Sequence, residues 1–209
     1  MLNNEELLRS GLETLGIKNQ ENLTSNLLIY KDLLIKWNQT YNLTAIKDAE
    51  QIITHHLLDC LSIVKYIVAK NILDVGSGAG LPGLILALCF PERSITMVDK
   101  VGKKIAFIKQ AAGELGIKNI NVSHKRVEDM RPEVKFDGII ARAFSDMASL
   151  IELTYPLLDE GGHWYGMKSI KSKTDEMHLI HYPYQVEKIE VPYLVAERYL
   201  ITVTKKTNL

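Results

Sequence analysis

The chain has 209 residues, of which 46% are apolar and 24% charged, and its 25 bases balance its 25 acids. That length fills one core with a small appended element and is short for two full domains. No run approaches the ~18 uninterrupted apolar residues of a membrane span. The Met1-Leu-Asn-Asn-Glu-Glu start lacks a basic stretch leading into an apolar one, so no signal peptide is expected. Cys60 and Cys89 fall in apolar helical patterns and read as buried, reduced thiols of a cytoplasmic protein, without a disulfide framework. The charge is unevenly spread. Residues 1–60 carry eight acids and five bases, leaving seventeen acids and twenty bases for residues 61–209. Bases gathered on one face of a neutral protein still hold phosphate, so a nucleic-acid partner is neither demanded nor excluded.

The first ~68 residues read as a helical extension packed on a domain formed by residues 69–209. Leu7, Leu8, Leu12 and Leu15 recur at helical spacing, with Gly16 as a C-terminal stop. Leu27, Leu28, Leu34 and Trp37 make a second stripe. A third helix opens at Asp48, paired with Gln51 as a capping box, and carries Ile52, Ile53, Leu57, Cys60, Leu61 and Val64.

From residue 71 the period changes. Ile72–Val75, Ser94–Asp99, Asn119–Val122 and Phe136–Ala141 are strand-like, with helices expected over 82–90, 103–115 and 146–158. Strand alternating with helix predicts a parallel, doubly wound α/β sheet with right-handed crossovers. Two further strands, Tyr184–Val191 and Arg198–Thr204, joined through Pro192, predict an antiparallel pair that closes it.

The first of these strands runs into Asp74-Val-Gly76-Ser-Gly78-Ala-Gly80-Leu81-Pro-Gly83. Glycines at alternate positions admit φ > 0 and let a ligand approach the backbone, and Pro82 suits the first turn of a helix. Exposed amides and a helix N-terminus are therefore expected beside a bound ligand. Gly78 to Gly83, with Asp99 further on, also spells a dinucleotide fingerprint. Three features favour S-adenosylmethionine instead. Gly76 directly follows the strand, Asp74 suits a cationic methionine portion better than a pyrophosphate, and the terminal strands are antiparallel. Asp99 ends the second strand as an acceptor for ribose hydroxyls, or else as a helix N-cap. Val127 and Glu128 are placed to flank an adenine, Glu128 reading otherwise as a solvated acid at a helix start.

Ala141-Arg142-Ala143-Phe144-Ser145 follows the fourth strand, nearest the transferable methyl. It has neither an Asp/Asn-Pro-Pro-aromatic box for an exocyclic amine nor a cysteine for covalent attack. An acceptor with a free lone pair, such as guanine N7, needs neither, only alignment. Phe144 then stacks on an unpaired base or packs in the core, while Arg142 contacts cofactor, guanine edge or phosphate, or else forms a structural ion pair. His56 and Asp59 share a helix face. They read either as an active-site pair titrating near neutrality or as a structural link to the Asn42 loop. No third ligand is suggested by spacing, so no metal is expected. Lys103, Lys104, Lys125, Arg126, Lys168 and Arg198 are the RNA-contact candidates, each lysine reading otherwise as an ordinary solvated surface base. A small-molecule methyltransferase, a nicotinamide-dependent oxidoreductase and an RNA-binding module with a vestigial pocket remain as rival readings.

Trp37-Asn38, Tyr41-Asn-Leu-Thr44, His56-Leu-Leu-Asp59, Asp74 to Gly83, Arg126-Val-Glu128, Arg142-Ala-Phe144 and Glu197-Arg198 together resemble the glucose-inhibited division protein B family. Its members are bacterial methyltransferases acting on N7 of a guanine in 16S ribosomal RNA. The resemblance runs from about residue 35 to residue 203. Ser77 and Ala79 stand where relatives often have Thr and Pro. The resemblance implies a Rossmann-like class I methyltransferase fold with seven strands, and S-adenosylmethionine contacts at Gly76, Leu81, Val127, Glu128 and Arg142. It also implies that the N-terminal helices shape the substrate side. The 16S RNA, within the small ribosomal subunit or its precursor, is the expected partner of a monomer.

Overall fold

The structure, a computed structural model, describes residues 2–18, 20–169 and 181–207. Seven strands form one sheet: β1 (Asn71–Val75), β2 (Ser94–Asp99), β3 (Ile120–His124), β4 (Phe136–Arg142), β5 (Leu158–Lys168), β6 (Tyr184–Ile189) and β7 (Arg198–Thr204). Their order is β3-β2-β1-β4-β5-β7-β6. The first five run parallel, β7 lies antiparallel to β5, and β6 antiparallel to β7. Strand order reverses between β1 and β4, and ligands of such sheets bind in the crevice at that point, beyond the carboxyl ends of the strands.

The central strands alternate their side chains between two cores. Ile72 and Ile140 join the face shared by Leu8, Leu12, Leu27, Leu34, Leu84 and Ile108, whereas Leu73 and Ile139 join the face of Met147, Leu150, Trp164 and Ile201. The N-terminal helices α1 (Asn4–Thr14) and α2 (Gln20–Tyr41) thus contribute to the same core as one side of the sheet. Tyr30 and Trp37 of α2 meet Phe107 of α6 (Gly102–Glu114) edge-on, with ring centroids 5.9 and 5.6 Å apart. Such aromatic pairs add about 0.5–1.5 kcal/mol beyond area burial.

Local chemistry explains the boundaries. Asn3 and Glu6 cap α1 reciprocally, and Gly16 follows it with φ +68°. The third helix departs from the single helix expected over 48–64. The Asp48 carboxylate does accept from Gln51 N, but α3 (Ala49–Ile52) passes into a π-helical stretch, Ile53–Leu58, before α4 (Asp59–Leu61). Strand β5 has no counterpart among the strand-like segments named above; it begins at Leu158, the last residue of the segment expected to be helical, after α7 (Met147–Thr154) and a 3-10 turn at Tyr155–Leu157. The glycines of β5 obscure its pattern, yet Gly166 sits where a Cβ would meet Met147 of α7. The short α5 (Gly83–Cys89) follows the glycine loop. Among the described residues no helix is long and apolar enough to cross a membrane. Cys60 is fully buried and Cys89 partly so, and burial pushes both thiols up to about 12.

Candidate active site

Two cavities open at the carboxyl ends of the parallel strands, on either side of a turn at residues 142–144. The first, of about 430 Å³, is lined by Gly76, Asp99, Lys100, Lys104, Lys125, Arg126, Val127, Glu128, Ala143 and Phe144, among others. This volume lies within the ~300–1,000 Å³ of small-molecule sites. A groove of similar size between the Gly16 loop and α5 touches no strand end and holds only Lys18, Lys65 and Cys89 as ionisable side chains.

The first cavity is mostly a backbone construction. Gly76 follows β1 with φ +68°, and a Cβ there would meet nothing within 4 Å, so its open side faces ligand space. Its N–H and that of Ser77 both donate to Val98 O, at 2.9 and 3.2 Å. Asp99, only 5% exposed, accepts from Gly78 N at 3.0 Å and from Val101 N at 2.9 Å. One carboxylate thereby ties the glycine loop to the start of α6. Each oxygen keeps a further lone pair, as an acceptor for two neighbouring hydroxyls requires. Tyr30 OH donates to Ala79 O at 2.7 Å, so α2 clamps the loop from behind. Its spacing from Leu27 and Leu34 gave Tyr30 the look of one more core position.

Asp74 is placed differently from its expected role. It is fully buried beneath the loop, where Oδ2 accepts from Gly83 N at 2.9 Å and Oδ1 has no hydrogen-bond partner among the described residues. Burial raises its pKa to about 7, with the bonds from Gly83 and Ser77 pulling the other way. Gly80 and Leu81 are buried too, and neither they nor Asp74 and Gly78 line the cavity. The helix N-terminus expected to face a ligand is thus occupied by the protein's own carboxylate. A dinucleotide pyrophosphate would need that amide and would meet a buried acid, which removes the oxidoreductase reading's main support.

The second cavity, of about 290 Å³, is a side-chain construction. Ile46, His55, His56, Asp59, Arg142, Ala143, Met167, Lys168, Ser169 and Arg198 line it. Sheet register gathers its cations, since Arg142 pairs with Met167 across β4 and β5, and Lys168 with Tyr199 across β5 and β7. Asp59 lies between two arginines, with Oδ1 2.9 Å from Arg198 Nε and Oδ2 3.6 Å from an Arg142 terminal nitrogen. Burial raises the Asp59 pKa, and Arg142 and Arg198 oppose that rise. The same Arg142 nitrogen lies 3.2 Å from His56 Nδ1. His56 Nε2 is 2.8 Å from Thr44 Oγ1, which anchors the loop after Asn42. His56 therefore bridges that loop and the site at once.

Burial, followed by the Arg142 charge, lowers the His56 pKa to about 4. Of the two readings of His56, this favours the structural link to the loop after Asn42 over a group titrating near neutrality, since burial and the Arg142 guanidinium both oppose its charged form. Lys168 is likewise no surface base. It is 5% exposed and donates to Phe144 O at 2.9 Å, which fixes the turn. Ala143, at φ +59° and lining both cavities, is the divide. Phe144 lines the first cavity and not the second. Its placement therefore favours a wall of the ligand site over stacking on an acceptor base. Lys103, Lys125 and Arg126 are exposed, and Lys104 stands 3.7 Å from Asp99. Among the described residues no group of three or more His, Cys, Asp or Glu is arranged to hold a metal.

With this geometry in hand, comparison with known proteins is specific. Residues 23–199 match the family described as GidB, rRNA small subunit methyltransferase G. A protein of Hydrogenovibrio crunogenus named ribosomal RNA small subunit methyltransferase G is 42% identical over 200 residues, covering 95% of this chain and 93% of its own. One of the same name from Methylobacillus flagellatus is 42% identical over 197 residues, covering 94% and 96%. Among solved structures, an S-adenosylmethionine-dependent O-methyltransferase of Thermotoga maritima superposes with a TM-score of 0.61. It covers 84% of this chain and 72% of its own at 14% identity, which speaks for the fold alone.

Proposed function

This chain belongs to the GidB family of rRNA small subunit methyltransferases, and we propose that it transfers a methyl group from S-adenosylmethionine to N7 of a guanine in 16S ribosomal RNA. The observation that carries this reading is the pair of cavities divided at Arg142-Ala143-Phe144, one floored by the glycine loop and Asp99 and one walled by partly and fully buried charged side chains. The first fits the cofactor. Asp99 offers a fixed carboxylate for ribose hydroxyls, Gly76 leaves room for close approach, Val127 gives an apolar surface, and Glu128 stands beside it for the exocyclic amine. When bound, the cofactor supplies an electrophilic methyl on its sulfonium.

The second cavity fits a guanine nucleotide. Arg142 and Arg198 are held in place by Asp59 and keep further N–H donors for a guanine O6 or a phosphate. Guanine N7 carries no proton, so no base is required. In keeping with that, His56 is neutral with both nitrogens engaged, and Asp59 is held by two guanidiniums. Catalysis then rests on proximity and alignment, which supply up to about 7–11 kcal/mol in well-oriented systems.

The test is to incubate the protein with methyl-labelled cofactor and either unmethylated small ribosomal subunits or a metabolite extract. Label is expected in a single guanine of 16S RNA, recovered as 7-methylguanosine. Transfer to small molecules alone overturns the proposal.

A further inference from the structure

The first cavity carries more positive charge than its ligand can use. Lys100, Lys104, Lys125 and Arg126 line it against Asp99 and Glu128, four cations to two carboxylates. S-adenosylmethionine is itself a net cation, its sulfonium and ammonium outweighing one carboxylate, so a net-positive wall repels it. The fold does not use these charges either. Lys100, Lys125 and Arg126 are exposed, and none of them makes an ion pair among the described residues. Lys104 approaches Asp99 only to 3.7 Å, a carboxylate already held by two amides.

Helix α6 gives a second, independent sign. Its first turn carries Lys103 and Lys104 with no acid of its own, the single Asp99 carboxylate before it accepting from Val101 N. The positive end of a helix dipole disfavours cations there. Bases kept against both the ligand's charge and the helix dipole call for a polyanion at this rim.

We infer that the RNA backbone crosses the mouth of the first cavity on Lys100, Lys125 and Arg126 and closes it. The cofactor therefore enters before the RNA, and the demethylated cofactor leaves after it. The two cavities share the exposed Ala143, so a nucleotide held in the second has its neighbours over the first. This inference rests on the ribosomal RNA reading above.

Isotope trapping on the full chain tests it. The protein is loaded with methyl-labelled cofactor, then mixed with unmethylated small subunits and a large excess of unlabelled cofactor. Most of the bound label should reach RNA in the first turnover. The same assay is run on a triple variant, Lys100→Ser, Lys125→Ser and Arg126→Ser, three exposed side chains whose loss leaves the core intact. There, trapping should fall, and the slope of log affinity for RNA against log salt should shrink by about 2, at ~0.7 per lost single-strand phosphate contact. Cofactor affinity should stay level or tighten. Free exchange of label in a wild-type protein that turns over normally overturns the ordering. Weakened cofactor binding with an unchanged salt slope overturns the RNA path and returns these cations to the cofactor. A wild-type protein that binds cofactor but never methylates small subunits fails the parent reading, and this inference with it.

Discussion

The two cavities differ in what builds them. The first has a floor of main-chain amides, Gly76 and the Asp99 carboxylate, supplied by the loops after β1 and β2, and a rim of exposed bases. The second is made of long charged side chains from the π-helical stretch and the ends of β4, β5 and β7. A backbone site tolerates changes of charge and fails when its geometry shifts. A side-chain site behaves the other way, since each buried charge depends on the others. Substitutions should therefore separate the two regions by which quantity fails.

The largest effect is expected at Asp59. Asp59→Asn removes the carboxylate that pairs with both Arg142 and Arg198. Breaking a buried pair from one side costs about 3–5 kcal/mol, so urea denaturation should show a loss of that order together with lost methyl transfer. Asp99→Ala should weaken cofactor binding by about 1–3 kcal/mol, because two amides lose their acceptor along with the ribose. Calorimetric titration checks it, and unchanged affinity would remove the ribose role. Tyr30→Phe should cost about 1 kcal/mol, the worth of one hydrogen bond to Ala79 O, seen as a modest drop in both stability and cofactor affinity.

The subtlest difference lies in pH. His56 has a pKa of about 4 when folded, below its unfolded value of 6.5, so between those values the unfolded chain binds the extra proton and stability rises with pH. Asp74 is opposite. Its folded value of about 7 exceeds the unfolded 3.8, so the folded chain binds the extra proton and stability falls as pH rises through that window. Each slope is about 1.4 kcal/mol per pH unit, and between pH 4 and 6.5 they oppose. Urea midpoints of His56→Gln should fall as pH rises, and those of Asp74→Asn should climb. Parallel curves for the two variants would contradict the assignment.

The same contrast governs what the sequence reveals. Glycines at 76, 78 and 80 between a strand and a helix leave a local signature, so β1, its loop and Asp99 are legible, and the antiparallel pair β6–β7 is legible by its alternation. Strand β5 is not, because burial between β4 and β7 removes alternation and close contact with Met147 selects glycine at 166. The second cavity is only half legible. His56, Asp59, Arg142 and Arg198 stand out as polar residues, but their pairing depends on a π-helical stretch and on sheet register. Asp74 shows the limit most sharply. Its position at the strand end is readable, while its turn inward to cap Gly83 depends on three-dimensional packing. Lys168 likewise reads as a surface base until Phe144 O is found beside it.

The division of labour at Arg142-Ala143-Phe144 is tested most directly by Arg198→Ala, measuring cofactor affinity and methyl transfer to small subunits on the same preparation. Cofactor affinity should stay within about twofold while transfer falls at least a hundredfold, about 2.7 kcal/mol in the barrier. A matched loss of cofactor affinity, or wild-type transfer, would contradict the separation of the two cavities.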